Sequence, residues 1–311
     1  GQRRDEAWRG VVCARNESST EVAFEELPET SDEPLRLDLS FDEVARRRQR
    51  AALEQAAKAE RGRLAQLRDV LLGERAPRFR PVEVDSFLND SLNDSQRSAV
   101  AFALSAEDVA IIHGPPGTGK TTTVVELIRQ AIRRGQQVLA CAPSNLAVDN
   151  LLERLIAAGE RAVRLGHPAR VSPELQSHTL DLLVANHPDV TVARKMVKQA
   201  QNLRDKAARF TRAKPERGAK REMRQEAREL LADARRLEDQ VVQQYLDSAD
   251  VLCATLTGVD AGVLGKRTFD LAVIDEAAQT TEAACWIPLL RVDRVVLAGD
   301  HCQLPPTIVS K

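Results

Sequence analysis

Aromatic side chains are scarce in this chain: seven Phe, two Trp and one Tyr make up 3% of its 311 residues. Recognition built mainly on ring stacking is therefore not expected. Cysteine is also thin. Cys13, Cys141, Cys253, Cys285 and Cys302 are an odd number at wide spacings with no Cys-x-x-Cys pair, so neither a disulfide framework nor a structural zinc site is suggested. The five histidines are equally scattered; His167, His178 and His187 lack metal-ligand spacing and read as loop or surface residues, so metal chemistry through Cys and His is not expected. No apolar run approaches the roughly 18 residues that would span a bilayer, and the opening segment, Gly1 to Glu6, lacks the apolar stretch of a secretory signal. A soluble cytoplasmic chain, or a nuclear one in a eukaryotic host, with no membrane partner is the expectation.

What is present is enough to bury a core: 43% of the residues are hydrophobic and 29% charged. The chain divides into zones. Residues 9 to 27 alternate like two short strands, Arg9 to Val12 and Glu21 to Phe24, around the turn-forming Asn16, Glu17, Ser18 and Ser19. From Phe41 to Leu72 the pattern is helical, with Val44, Leu53, Leu64, Leu67 and Leu71 among Arg, Ala, Gln and Glu and Gly73 as a stop; one long helix, or two with a break near Gly62, fits the stretch. Beyond that, unbroken apolar runs alternate with helical stretches. The runs are Val109 to Ile112, Val138 to Ala142, Val251 to Ala254, Leu271 to Ile274 and Val295 to Ala298. Such runs fit strands covered on both faces, and the first two, about 28 residues apart with a helix between them, read as one βαβ unit. The fold class is α/β with a parallel sheet.

The formal charge of -1 is a sum that hides asymmetry. Residues 191 to 236 carry 15 Lys and Arg against six Asp and Glu, a local balance of +9, with few large apolar residues. The segment reads as a protruding helical hairpin broken around Pro215 to Gly218. Charge alone leaves open whether it is a solvated coiled-coil face or an arm turned toward nucleic acid.

Gly114, Gly117, Thr118, Gly119, Lys120, Thr121 and Thr122 lie in a Gly-x-x-x-x-Gly-Lys-Thr run placed between a strand and a helix. Glycines let backbone N–H groups fold around phosphates, Lys120 reaches the terminal phosphates and the Thr121 hydroxyl binds Mg²⁺. The strand-to-helix setting makes an ordinary glycine turn a poor explanation. A second acidic site follows the apolar run that ends at Ile274, where Asp275 can hold Mg²⁺ and Glu276 can polarise an attacking water. Two adjacent carboxylates are often only a solvated helix start, but not directly after a buried strand of a P-loop protein. Three further strand ends, at Ala142 to Asn145, Ala254 to Gly258 and Gly299 to Pro306, fit ordinary loops with cap residues when taken singly, and also present small hydroxyl and amide side chains of the kind phosphate backbones require.

Leu92 to Gln96, the P-loop, Ala142 to Asn150, Asp275 to Gln279 and Leu297 to Pro306, in that order, resemble superfamily 1 (1B) helicases of the up-frameshift type, and within them the immunoglobulin mu-binding branch. Arg164 to Arg170 and Cys285 to Leu290 extend the likeness across most of residues 85 to 311. The resemblance implies a RecA-like P-loop NTPase lobe with ATP as substrate and Mg²⁺ as cofactor. Gln96 would read the adenine edge, Gln303 would sense the γ-phosphate, and Pro143, Ser144, Asn145 and Thr255 would lie along a single strand of DNA or RNA. It also implies a division into 1–40 (end of a small β-barrel-like unit), 41–73 (helical stalk), 74–165 and 249–311 (the two parts of the lobe) and 166–248 (basic helical insertion).

A monomeric motor moving 5′ to 3′ is the implied activity. A nucleotide-binding clamp without motor activity is the alternative, and a protein-remodelling ATPase a third reading that leaves the strand-contact residues and Gln303 unexplained. Members of the resembled family carry a second RecA-like lobe, with arginine fingers, beyond the last motif present here. Such a finger is worth roughly 10³ to 10⁵ in rate, so weak hydrolysis is expected of these 311 residues alone. Scarce aromatics imply weak sequence preference, and the choice between RNA and DNA is not legible.

Overall fold

A computed structural model describes residues 10–15, 19–24, 43–208, 219–259 and 261–303. The turn at Asn16 to Ser18, the helix start at Phe41, the break at Pro215 to Gly218 and the end of the last motif, Leu304 to Pro306, lie outside the described residues. The expected N-terminal strands form an antiparallel pair, β1 (Gly10–Arg15) and β2 (Thr20–Phe24), with a register shift between Val12 and Ala14. Helices α1 (Glu43–Lys58) and α2 (Arg63–Leu71) follow, separated by residues 59–62, so of the two arrangements that fit the sequence the stretch takes the one broken near Gly62. Next come α3 (Asp94–Ser105), β3 (Val109–His113), α4 (Lys120–Arg133), β4 (Val138–Ala142), α5 (Asn145–Ala157) and β5 (Ala162–Arg164). The helical segment α6 (Leu180–Ala185), α7 (Pro188–Ala208) and α8 (Ala219–Ser248) leads into β6 (Val251–Thr255), α9 (Ala261–Leu264), β7 (Phe269–Ile274), α10 (Glu282–Leu289) and β8 (Val292–Gly299).

Six strands form one parallel sheet in the order β3-β8-β7-β4-β6-β5. Two strands, β8 and β7, stand between β3 and β4, so the βαβ unit expected there is a crossover between non-neighbours rather than a paired couple. Apolar runs report burial on both faces and carry no information on which run sits beside which. The three-residue β5 escaped the sequence reading because a strand that short has no period to detect.

Both faces of the sheet are covered. On one side Ala52, Ala56 and Leu67 of α1 and α2 join Trp286, Ile287 and Leu289 of α10 against Leu139, Ala272 and Ile274. On the other, Val100 of α3, Leu127 and Ile128 of α4, and Leu151 and Leu152 of α5 pack on Ala140, Val273 and Val296. All five residues of β4 are buried, as a central strand requires, and each fully buried leucine contributes about 1.5–3 kcal/mol. Cys141 and Cys253 are buried in β4 and β6, and burial pushes the Cys253 thiol up to about 12, so neither is a nucleophile.

Asp108, just before β3, ties the α2 helix to the sheet domain. Its buried carboxylate accepts from Arg63 at 2.6 Å and from the Arg78 guanidinium at 2.8 Å and 3.0 Å, as well as from the Arg78 backbone N–H at 2.8 Å. The Arg78 hydrogen bond, with help from Arg63, holds this carboxyl well below the usual range.

The basic segment is a helical hairpin. The His187 ring, at the start of α7, meets the Tyr245 ring near the end of α8 at 5.9 Å, so the helices run antiparallel. Their contact follows a strict seam. Ala193, Ala200 and Ala207 are buried at intervals of seven on α7, and Ala227, Ala234 and Val241 at the same interval on α8. Met196 and Leu203, and Met223, Leu230 and Leu237, are half-buried between them. This is the heptad pattern of a coiled coil with alanines at one seam position. Arg194, Lys195, Lys198, Arg204 and Lys206 on α7, and Arg221, Arg224, Arg228, Arg235 and Arg236 on α8, are exposed. Among the described residues no helix is long and apolar enough to cross a membrane.

Candidate functional site

A parallel sheet gathers its loops at the carboxyl ends of the strands, and the expected site residues lie there. Residues 114 to 119 leave β3 and turn into α4 at Lys120. Gly119, the residue before the helix, has φ 77°, a left-handed backbone that glycine adopts without a Cβ penalty. A Cβ there would also run into the Gln96 side-chain nitrogen. A Cβ on Gly114 would lie 2.8 Å from Thr118 Oγ1, which donates to the Pro115 carbonyl at 2.7 Å. The first turn of α4, which includes Thr121 and Thr122, thus turns its free N–H groups toward the loop.

Gln96 is held on two sides. Its Oε1 accepts from the Asn93 backbone N–H at 3.0 Å in a capping box that starts α3, and its Nε2 donates to the Thr118 carbonyl at 3.0 Å. An amide group has two donors and two acceptor lone pairs, so half of its capacity remains for a ligand.

β7 delivers the two carboxylates. Asp275 is buried, and its backbone N–H donates to the Cys141 carbonyl of β4 at 2.8 Å. Its Oδ2 accepts from Thr121 Oγ1 at 3.3 Å, so hydroxyl and carboxylate converge as a pair of hard oxygen donors. Burial raises its carboxyl above the usual value and the adjacent Glu276 charge adds to this, while the Glu276 N–H, Lys120 and Thr121 oppose. Lys120 does not neutralise Asp275 directly. Its Nζ lies 3.2 Å from Glu276 Oε1, with the Gly114 carbonyl at 3.4 Å. A buried carboxylate with a hydroxyl beside it and its lysine engaged elsewhere suits a divalent cation.

That arrangement has a thermodynamic consequence. A carboxyl whose folded-state pKa lies above its unfolded value contributes stability that is fully present below the unfolded value and is lost as pH rises through the folded one. Asp275→Asn is therefore expected to raise the melting temperature of the nucleotide-free protein at pH 7, by on the order of 2 °C, with the gain shrinking as pH is lowered. The same variant should lose the extra stability conferred by Mg²⁺ and nucleotide. Thermal melts across pH, with and without both ligands, check this; a lower melting temperature at pH 7 would contradict it.

Glu276 has φ 53° and ψ 36° and is the one non-glycine residue with positive φ among the described residues. A left-handed conformation costs of order 1 kcal/mol or more, and such strain concentrates at functional sites. Its Oε2 accepts from Gln279 Nε2 at 3.0 Å, and the same Nε2 lies 3.2 Å from Gln303 Oε1. A polar chain therefore runs from Lys120 through Glu276 and Gln279 to Gln303. Close approach of the two loops depends on Gly299, where a Cβ would sit 3.0 Å from the Ala278 backbone nitrogen. Gln279 lay inside a motif quoted from the sequence but carried no role there. Its position three residues after Glu276, on one 3-10 turn, was the available signal.

The other four expected residues sit on the next two strands, β4 and β6. Ser144 caps α5, accepting from the Ala147 N–H at 3.2 Å. Thr255 ends β6 and is paired in register with Ala142 of β4, directly beside Pro143, Ser144 and Asn145. Asn145 Oδ1 accepts from Arg164 at 2.8 Å. Arg164 is almost fully buried, donates also to its neighbour's carbonyl at Leu165, and lies 3.3 Å from Asp149 Oδ1. Asp149 Oδ2 in turn accepts from the Ser172 hydroxyl at 2.8 Å and its N–H at 2.9 Å. Sequence reading missed this network because a buried arginine on a three-residue strand has no local signature.

Comparison with known proteins follows the same motifs. The family described as AAA domain matches residues 91–311. DNA-binding protein SMUBP-2 of Mesocricetus auratus is 41% identical over 314 residues, covering 97% of this chain and 31% of the relative. DNA polymerase alpha-associated DNA helicase A of Schizosaccharomyces pombe is 41% identical over 225 residues, covering 72% of this chain and 34% of the relative. A regulator of nonsense transcripts 1 homolog of Arabidopsis thaliana is 39% identical over 224 residues, covering 71% and 16% respectively. The chain spans about a third or less of the length of these relatives.

Proposed function

The chain belongs to the AAA-domain family, and from that premise we propose that it forms the first motor lobe of an ATP-driven helicase of the up-frameshift type, moving along single-stranded DNA or RNA. One observation carries this reading: both expected residue sets share one edge of the sheet. Apart from Gln96 on α3, the nucleotide set lies at the ends of β3, β8 and β7, and the strand set at the ends of β4 and β6, with β7 and β4 side by side.

Within the lobe, the P-loop N–H groups and Lys120 bind the phosphates. Thr121 and Asp275 would hold Mg²⁺, which when bound neutralises phosphate charge. Glu276 accepts a proton from the attacking water. Gln279 holds Glu276 and meets Gln303, so loss of the γ-phosphate can be felt at the loop after β8. Gln96 stands beside the loop where a base would lie. Pro143, Ser144, Asn145 and Thr255 meet the strand backbone, and the exposed cations of α7 and α8 supply a phosphate-tracking surface. The 5′-to-3′ direction and a second RecA-like lobe as partner across the nucleotide are taken from the family resemblance. A monomer in the cytoplasm or nucleus completes the proposal.

Fluorescence anisotropy of a labelled single strand tests it. Affinity is expected to change severalfold or more when a nonhydrolysable ATP analogue and Mg²⁺ are added, and to fall steeply with salt. Affinity indifferent to nucleotide would favour a clamp over a motor, and failure to bind any single strand would favour a protein-remodelling ATPase.

A further inference from the structure

Scattered in sequence, His113 and His301 meet in space. His113 ends β3 and is paired in register with Gly299 of β8, so Asp300 and His301, the next two residues, come up beside it. His113 Nε2 lies 3.1 Å from Asp300 Oδ1, and the two imidazole rings are 4.9 Å apart at 45°. One ligand atom from each of His113, Asp300 and His301 falls within 4.8 Å of the others. Asp300 is buried and further anchored by the Cys302 N–H, which donates to Oδ1 at 3.0 Å, whereas both histidines are exposed.

Two imidazole nitrogens and a carboxylate oxygen are a donor set for zinc and its neighbours rather than for magnesium. Around a tetrahedral zinc, donors bonded at about 2.0–2.1 Å sit roughly 3.3 Å apart, so the group must close by only about 1.5 Å. Exposed imidazoles can make that movement by rotating, while the anchored carboxylate stays in place. Three protein ligands would leave an open position for water. The Thr121–Asp275 pair offers oxygen alone and differs in kind.

We propose that His113, Asp300 and His301 form a second cation site on this protein, selective for a borderline divalent ion of the zinc class. An ion there would bind the end of β3, directly before the P-loop, to the loop that carries Gln303 two residues beyond His301.

Cobalt(II) is the probe, because its visible absorption strengthens when the ion passes from six-coordinate water to a four-coordinate protein site. The 311-residue chain, stripped with chelator and free of nucleotide, would be titrated with Co²⁺ in excess Mg²⁺. A single saturable absorption band is expected, displaced by Zn²⁺ but not by further Mg²⁺. His301→Ala and His113→Gln should each weaken binding by about tenfold or more, and thermal melts should show both variants folded, since both side chains are exposed. Cys302→Ser should leave the band unchanged. Absence of a band, binding unaltered in the two histidine variants, or loss of the band in Cys302→Ser would each overturn the proposal. The readout needs neither ATP hydrolysis nor a nucleic acid, so it stands or falls separately from the motor function.

Discussion

With a second RecA-like lobe in place, Glu276→Gln is expected to cut ATP hydrolysis by about 10²–10⁴ while ATP still binds, the range removed when a positioned general base is lost. Glutamine keeps the shape and one acceptor oxygen, so the Lys120 contact, made at Oε1 at 3.2 Å, can be kept, whereas the amide nitrogen in place of Oε2 turns a donor toward Gln279 Nε2, and that 3.0 Å contact is lost unless the Gln279 amide turns over. It cannot accept the proton of water. The strained backbone at φ 53° belongs to the turn rather than to the carboxylate, so it should survive the change. Steady-state turnover together with titration of a fluorescent ATP analogue separates the two effects. Turnover within threefold of the parent would remove Glu276 from the role of base.

Lys120→Ala should lower affinity for ATP by about 10², close to what is lost when a single preorganised donor to developing or resident charge is removed. The ammonium is buried at 8% exposure and, without nucleotide, rests against Glu276 and the Gly114 carbonyl. ATP binding would exchange those contacts for phosphate oxygens, which carry more charge. Because lysine reaches the terminal phosphates, the loss should be larger for ATP than for ADP. Parallel titrations with fluorescent ATP and ADP analogues check both the size and the order. An equal loss for both nucleotides would mean that Lys120 supports the loop rather than the γ-phosphate.

Much of this site was legible before any coordinates. The spacing from Gly114 to Thr121 states a chemistry by itself, and the unbroken run from Leu271 to Ile274 ending in Asp275 and Glu276 states a strand end. Strand pairing was not legible. Runs such as Val109 to Ile112 and Val138 to Ala142 look alike whether two strands or none separate them, and the sheet order puts β8 and β7 between. Contacts that depend on that order were hidden for the same reason. His113 beside His301, Arg164 beneath Asn145, and Gln279 between Glu276 and Gln303 each join residues whose partners are fixed by tertiary register. The hairpin's seam was hidden differently: alanine every seventh residue is nearly silent in a hydrophobicity pattern, although it sets how closely two helices approach.

That alanine seam bears on how the protein can vary in length. Seven residues advance an α-helix by about 10 Å and return almost the same face to its neighbour. Adding or deleting one such unit in both α7 and α8 would change how far the arm extends while leaving the orientation of its cations nearly unchanged. Indels in multiples of seven, matched across the two helices, are then the changes this arm tolerates best. Reach could diverge among descendants of the chain while the ATP-handling edge of the sheet remains untouched.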